Sequence, residues 1–173
     1  FDDVNAIAKI AVNTHLAGAA GVVTGAVLTR LIGGKTDIIM MLNGALAGLV
    51  AITAEPLTPT PMTAMLIGSV GSVIMYFGTK LLEHLRLDDF VGAIPVHLFA
   101  GIFGTLVVPF TNPDTSFGTQ FLGVVSICTF SFVFSYAVFR AMKETTGLRI
   151  SKAAEKLGTD KAEIGVAAYS IRD

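Results

Sequence analysis

Charge is scarce in this sequence. Asp, Glu, Lys and Arg make up 14% of 173 residues, where a typical soluble domain carries roughly 25%. The net charge is −1, so nothing marks the chain for a polyanionic partner such as nucleic acid. There is a single cysteine, Cys128, which excludes an internal disulfide and a cysteine-rich metal site. Tryptophan is absent, unusual for a chain that sits in a membrane, because that side chain favours the interface. An initiating Met is also missing. The chain opens Phe1-Asp2-Asp3, without the basic, apolar and small-residue regions of a signal peptide. We therefore expect that something upstream has been removed or that the sequence is a fragment.

What is present is apolar. Hydrophobic residues make up 53% of the chain and glycine contributes 18 residues; the mean hydropathy is +0.71. A water-soluble globule of this size could not bury so much apolar surface. A bilayer core about 30 Å thick needs about 20 apolar helical residues. Five segments approach that length: 10–32, 38–54, 62–82, 90–110 and 118–139. The connectors between them are short and polar, and Gly and Pro punctuate them as turns require. The reading is an all-α, polytopic membrane bundle over 1–139, followed by a polar tail over 140–173. Inside the spans, small residues recur at close spacing: Gly18, Gly21 and Gly25; Gly44 and Gly48; Gly68 and Gly71; Gly101 and Gly104. Such faces let helix backbones approach closely in lipid, so a packed bundle is expected.

Counting basic residues predicts the topology. Arg30, Lys35, Lys80 and Arg86 fall in or beside the first and third connectors, and the tail adds the rest except Lys9. The side carrying them is expected to be cytoplasmic, which places the N-terminus of this segment outside and the C-terminus in the cytoplasm.

Ionisable residues inside spans are costly and raise a functional question. His97 lies near the centre of the fourth expected span, with Pro95 two residues before it. His15 lies early in the first span, Glu55 closes the second, and His84 sits in a connector. A neutral imidazole has one donor and one acceptor nitrogen, which suits a small polar molecule or a proton in an apolar path. A lone histidine equally serves as a hydrogen bond between helices, and the residues alone leave both readings open for His97 and His15. Glu55 reads as an interfacial side chain; Asn43 and Thr53 read as helix–helix hydrogen bonders. No ligand set accompanies His97 at metal-binding spacing, and no phosphate loop or dinucleotide fingerprint occurs. Gly71-Ser72 with His97 has the residue types of an intramembrane protease but lacks the nucleophile elbow. No cofactor and no enzymatic activity are expected.

Three stretches together resemble the ammonium transporter (Amt/Mep/Rh) family, most closely its bacterial members. They are Met41-Leu42-Asn43-Gly44-Ala45-Leu46-Ala47-Gly48 running on to Thr53-Ala54; Asp88-Asp89-Phe90-Val91-Gly92-Ala93-Ile94-Pro95-Val96-His97, with Gly101 and Gly104 following; and Gly147-Leu148-Arg149-Ile150-Ser151, with Gly158, Asp160, Glu163, Gly165, Ala168 and Tyr169. Asn13-Thr14 also fits. The resemblance implies an eleven-helix fold, of which this chain is the last five helices plus the tail. It implies a homotrimer in the cell (inner) membrane, with a pore in each subunit for ammonium or ammonia. His97 would be one member of a histidine pair whose partner lies outside this chain. Ala93, one turn earlier, and Thr53 would line the same path. The tail would be regulatory, with Gly147, Arg149, Gly158, Asp160, Gly165 and Tyr169 matching its motif, and a PII-type protein would dock on the cytoplasmic face. Departures are Ile164 where many relatives carry His, Phe103 for a frequent Trp, Leu98 for a frequent Gly, and Ala153-Ala154 for an acidic stretch. These put conventional tail regulation in question. Two alternatives stand beside transport: an ammonium sensor of the same fold signalling through a cytoplasmic partner, and a nonfunctional truncated product.

Overall fold

The computed structural model describes residues 2–168. Helices α1 (Asp2–Gly33), α2 (Ile38–Thr53) and α3 (Pro61–His84) come first. Helix α4 (Ile94–Phe110) is irregular: a π-helical turn over Ile94–Phe99, an α-helical body over Ala100–Val107 and a 3₁₀ end over Val108–Phe110. Helix α5 (Phe117–Thr145), short α6 (Lys152–Leu157) and a π turn over Asp160–Ile164 complete the chain. All five expected apolar segments are helical. Three of them, α1, α3 and α5, are long and apolar enough to cross a membrane, while α2 and α4 are shorter. At 1.5 Å per residue the 16 residues of α2 reach about 24 Å, short of a bilayer core about 30 Å thick.

Helix starts follow local chemistry. Asp37 caps α2, its Oδ1 accepting the Met40 N–H at 3.1 Å. Thr60 caps α3, accepting the Thr63 N–H at 3.2 Å, with Pro61 in the first position, where its missing N–H costs nothing. Helix α1 begins eight residues earlier than the apolar run, because the mixed stretch from Asp2 to Lys9, with its charged and amide side chains at 2, 3, 5 and 9, is helical as well.

Contacts divide the chain into two compact units, 1–126 and 127–173. In the first, α1, α2 and α3 pack against one another through glycine. A Cβ on Gly21 would run into the Gly44 carbonyl, and one on either Gly48 or Gly68 would run into the Ala17 carbonyl. Helix α4 joins by the same device, since a Cβ on Gly104 would meet the Ala51 carbonyl. Ser72, fully buried, adds a hydrogen bond from its hydroxyl to the Gly21 carbonyl at 2.9 Å. Two apolar clusters surround these crossings: Ala17, Ala51, Ile52, Ala64 and Ile67, and Ala47, Met75, Val96 and Ala100.

The connector after α2 is held from both sides. Asn13 of α1, with no exposed surface, donates its amide to the carbonyls of Pro56 (2.8 Å) and Pro59 (2.9 Å). Glu55 accepts the N–H groups of Leu57 (3.0 Å) and Thr58 (3.2 Å) through Oε1, and its Oε2 accepts the Asn112 amide at 3.2 Å. Glu55 is thus a stitch between two connectors, beyond the interfacial role its sequence suggests.

The second unit contains the later part of α5, α6 and the π turn. No residue of α5 is buried, and stacked aromatic pairs, Phe130 on Phe134 and Phe132 on Tyr136, run along it. Ser151 caps α6 by accepting the Ala154 N–H at 3.1 Å.

Candidate functional site: the exposed face of α4

His97 stands on an exposed face of α4 with Ala93 and Leu98, while Pro95 and Val96 are buried on the opposite side. The structure therefore presents Ala93 and His97 together. Their helix begins at Ile94 rather than at Phe90, so His97 sits in its opening turn instead of near its middle. The apolar run is unbroken through this region; polar and conformational signals set the start. The Asp89 carboxylate accepts the Ala93 N–H (2.8 Å) through one oxygen and the Ile94 N–H (2.7 Å) through the other. These are two of the donors that a helix start leaves unpaired. Gly92 has φ +76°, a left-handed conformation that glycine adopts without strain. The Asn43 amide of α2 donates to the Val91 carbonyl at 3.1 Å, and a Cβ on Gly92 would crowd that amide.

Pro95 falls in the first turn of α4, where its missing N–H is one that a helix start leaves unpaired anyway. The turn is π-helical: the Ala100 N–H bonds to the Pro95 and His97 carbonyls. Such turns recur at functional positions in helices. Asp89, Gly92 and Asn43 thus fix the turn that carries His97. The sequence signal for Asp89 was an acidic side chain just ahead of a helix, the pattern of an N-terminal cap.

Thr53 is exposed at the end of α2, and its hydroxyl donates to the Leu49 carbonyl at 2.6 Å. That proton is engaged, which leaves the oxygen as an acceptor. His15 is exposed with Nδ1 2.7 Å from the Ala11 carbonyl. Because a carbonyl only accepts, Nδ1 carries the proton, and Nε2 of the neutral ring is the acceptor. His84 is exposed at the end of α3. Among the described residues no group of three His, Cys, Asp or Glu side chains could hold a metal ion.

In the tail, three of the motif residues are glycines with left-handed φ: Gly147 (+81°), Gly158 (+95°) and Gly165 (+77°). Gly147 ends α5, its N–H reaching the Met142 carbonyl at 2.9 Å. Gly158 leaves room for Asp160, whose Oδ1 would lie 2.6 Å from an added Cβ. Asp160 Oδ2 accepts the Ala168 N–H at 2.8 Å, and the Asp160 carbonyl accepts the Val166 N–H at 3.2 Å. The Ala168 N–H, then the Lys161 N–H, holds the Asp160 carboxyl below its ordinary pKa by stabilising the ionised form. Arg149 is exposed. Tyr169 lies outside the described residues.

A family model described as the Ammonium Transporter Family matches residues 2–169. Ammonium transporter Amt2 of Archaeoglobus fulgidus is 36% identical to this chain, across 94% of it and 39% of the relative. Ammonium transporter Amt1 of Methanocaldococcus jannaschii is 31% identical, across 95% and 43%. Among solved structures, a sensor Amt protein superposes with a TM-score of 0.84 at 30% identity, covering 91% of this chain and 42% of its own. Mep2 of Candida albicans gives 0.78 at 26% identity, covering 91% and 39%. The chain spans between 39% and 43% of the length of these relatives. The two archaeal relatives are transporters by name, not enzymes.

Proposed function

The chain belongs to the ammonium transporter family, and on that premise we propose that it forms part of a path carrying ammonium or ammonia across the cell (inner) membrane. It is a multi-pass membrane protein of all-α fold. The observation that carries the proposal is the exposed Ala93–His97 face of α4, whose helix start is fixed by Asp89. In this reading His97 is one of a histidine pair completed by a residue beyond this chain, and Ala93 and Thr53 border the same path. A neutral imidazole exchanges hydrogen bonds with a small nitrogen compound and gives little stabilisation to a bare cation.

The surrounding assignments follow as parts of the same proposal. Residues 1–139 form the membrane part and 140–173 a regulatory tail, with the basic connectors and tail in the cytoplasm. The protein assembles as a homotrimer. Gly147, Arg149, Gly158, Asp160, Gly165 and Tyr169 belong to the tail motif, and a PII-type protein docks on that face. The supporting feature is that the three glycines and Asp160 each serve a definite turn.

The test is ammonium or methylammonium flux through the full-length protein in liposomes, with and without His97→Ala. Altered rate or altered ammonium-over-potassium selectivity supports the pore role; unchanged values for both refute it. The likeness to a sensor Amt protein keeps a second reading in view: ammonium occupancy relayed to a cytoplasmic partner. Tight ammonium binding with no measurable turnover would favour that reading.

A further inference from the structure

The connector between α2 and α3 meets α1 at Asn13, and the meeting point is polar inside an apolar bundle. Asn13 has no exposed surface, and Ala17, one turn further on, belongs to an apolar cluster. The Asn13 amide nitrogen gives one hydrogen to the Pro56 carbonyl at 2.8 Å and the other to the Pro59 carbonyl at 2.9 Å. That pairing fixes the amide, because an oxygen turned the same way would oppose two acceptors. Asn13 Oδ1 is then left without a hydrogen-bond partner among the described residues. The same holds for the Thr58 hydroxyl, which is also cut off from solvent. Thr58 immediately precedes Pro59, so both oxygens border one short stretch of backbone.

A buried polar atom left unmatched bears its whole desolvation penalty, and protein interiors meet such demands with ordered water where protein groups do not. The groups present define what fits. Asn13 Oδ1 only accepts, the Thr58 hydroxyl both gives one hydrogen and accepts, and each proline carbonyl has a second lone pair beyond the one that Asn13 occupies. A molecule that donates twice and accepts once satisfies them, which is the capacity of water. A buried water needs two to four polar partners, and three are at hand. A cation would use the oxygens alone and would bring a charge that no carboxylate is free to contact. Glu55, the acid of this connector, has Oε1 turned to the Leu57 and Thr58 N–H groups and Oε2 to the Asn112 amide.

We propose that a single water molecule is bound between Asn13 and the connector. It gives one hydrogen to Asn13 Oδ1 and the other to a proline carbonyl, and it accepts the hydrogen of the Thr58 hydroxyl. The bridge extends the two direct Asn13 bonds into a closed polar clasp. Glu55 ties the same connector to Asn112, so the end of α2 and the start of α3 are held at two points. The proposal needs only these side chains, and it stands or falls separately from the transport reading.

The sign of one substitution tests it. Thr58→Val in the full-length protein keeps the shape of the side chain and removes the hydroxyl. If that hydroxyl holds a bound water, the melting temperature in detergent should fall by about 2 °C, the size of one lost hydrogen bond. Thr58→Ser, which keeps the hydroxyl, should recover most of the difference. An unchanged or raised melting temperature for Thr58→Val, as expected when an unmatched buried hydroxyl is removed, would overturn the proposal. A crystal structure of the full-length protein that resolves ordered water should show a peak about 2.5–3.0 Å from both Asn13 Oδ1 and Thr58 Oγ1; bare density there would also overturn it. The melts are repeated in sodium, potassium, ammonium and choline chloride at equal ionic strength. The same gap between wild type and Thr58→Val in all four salts supports water, and a gap that vanishes in choline chloride would overturn water in favour of a small cation.

Discussion

Gly68→Ala should destabilise the helix bundle far more than its single added carbon suggests. An ideal Cβ at Gly68 would lie 2.6 Å from both the Cα and the carbonyl carbon of Ala17, and closer still to its oxygen. All three are backbone atoms of α1, so no side chain can swing aside. Carbon atoms rest about 3.5–4.0 Å apart at their energy minimum, so α3 and α1 must part by about 1 Å. A gap of that size forfeits a quarter to a half of the dispersion energy of each contact at the crossing. Overpacking of this kind costs about 1–3 kcal/mol, and the rigidity of both partners places Gly68→Ala near the top of that range. At about 2–4 °C per kcal/mol for a chain of this size, the melting temperature should fall by about 6–12 °C. The assay is thermal melting in detergent, followed by loss of helical signal. Gly33→Ala is the control: an added Cβ there meets nothing within 4 Å, and the expected change is under about 0.5 kcal/mol. Equal melting temperatures for the two variants would refute the claim that α1 and α3 touch at backbone distance.

Other expectations follow from particular contacts. Asp89→Ala removes the acceptor for two helix-start N–H groups and should cost about 1–2 kcal/mol; flux should fall with it, and Asp89→Asn, which keeps one acceptor oxygen, should restore part of both. Asn13→Ala leaves the Pro56 and Pro59 carbonyls without their donor and should lower stability by about 2 kcal/mol, read by the same melt. The Asp160 pKa is lowered in the folded tail, so its contribution is complete above the ordinary carboxylate pKa and is lost as pH falls through the depressed value. Hydrogen exchange at the Ala168 amide should report that loss on acidification, and Asp160→Asn should flatten the dependence. Gly158→Ala meets both a left-handed φ and the Asp160 carboxylate; it should weaken the same protection by about 1 kcal/mol or more.

Much of the architecture was legible because hydrophobic runs and turn residues are local signals. The five helical segments, the Pro-rich connector and the small-residue crossings at Gly44, Gly48 and Gly68 all follow from patterns within a few residues. The start of α4 was not legible in the same way. Phe90 and Val91 continue the apolar run, so hydropathy extends the helix backward, whereas Asp89 and Gly92 decide the matter through two hydrogen bonds and one backbone angle. The start of α1 lies before the long apolar run for the opposite reason: Asp2, Asp3, Asn5 and Lys9 break the hydropathy of 2–9 yet the stretch is helical, and a hydropathy reading sees a membrane boundary, not a helix end. His97 stands out in the sequence by its type, and the resemblance adds Ala93 one turn before it; their common exposure depends on which side of α4 packs against Val96 and Pro95. In the tail, the resemblance singled out the glycines; the left-handed angles supply their physical reason.

The Ala17 carbonyl has a mechanical consequence. Gly48 from α2 and Gly68 from α3 converge on that single group of α1, so three helices share one fixed point with no compressible side chain between them. Sliding any one helix drives a backbone into a backbone, and the trio must turn as one body. Compliance in this part of the chain is thereby left to the opening of α4, where a proline, a left-handed glycine and a widened turn interrupt the regular ladder next to His97.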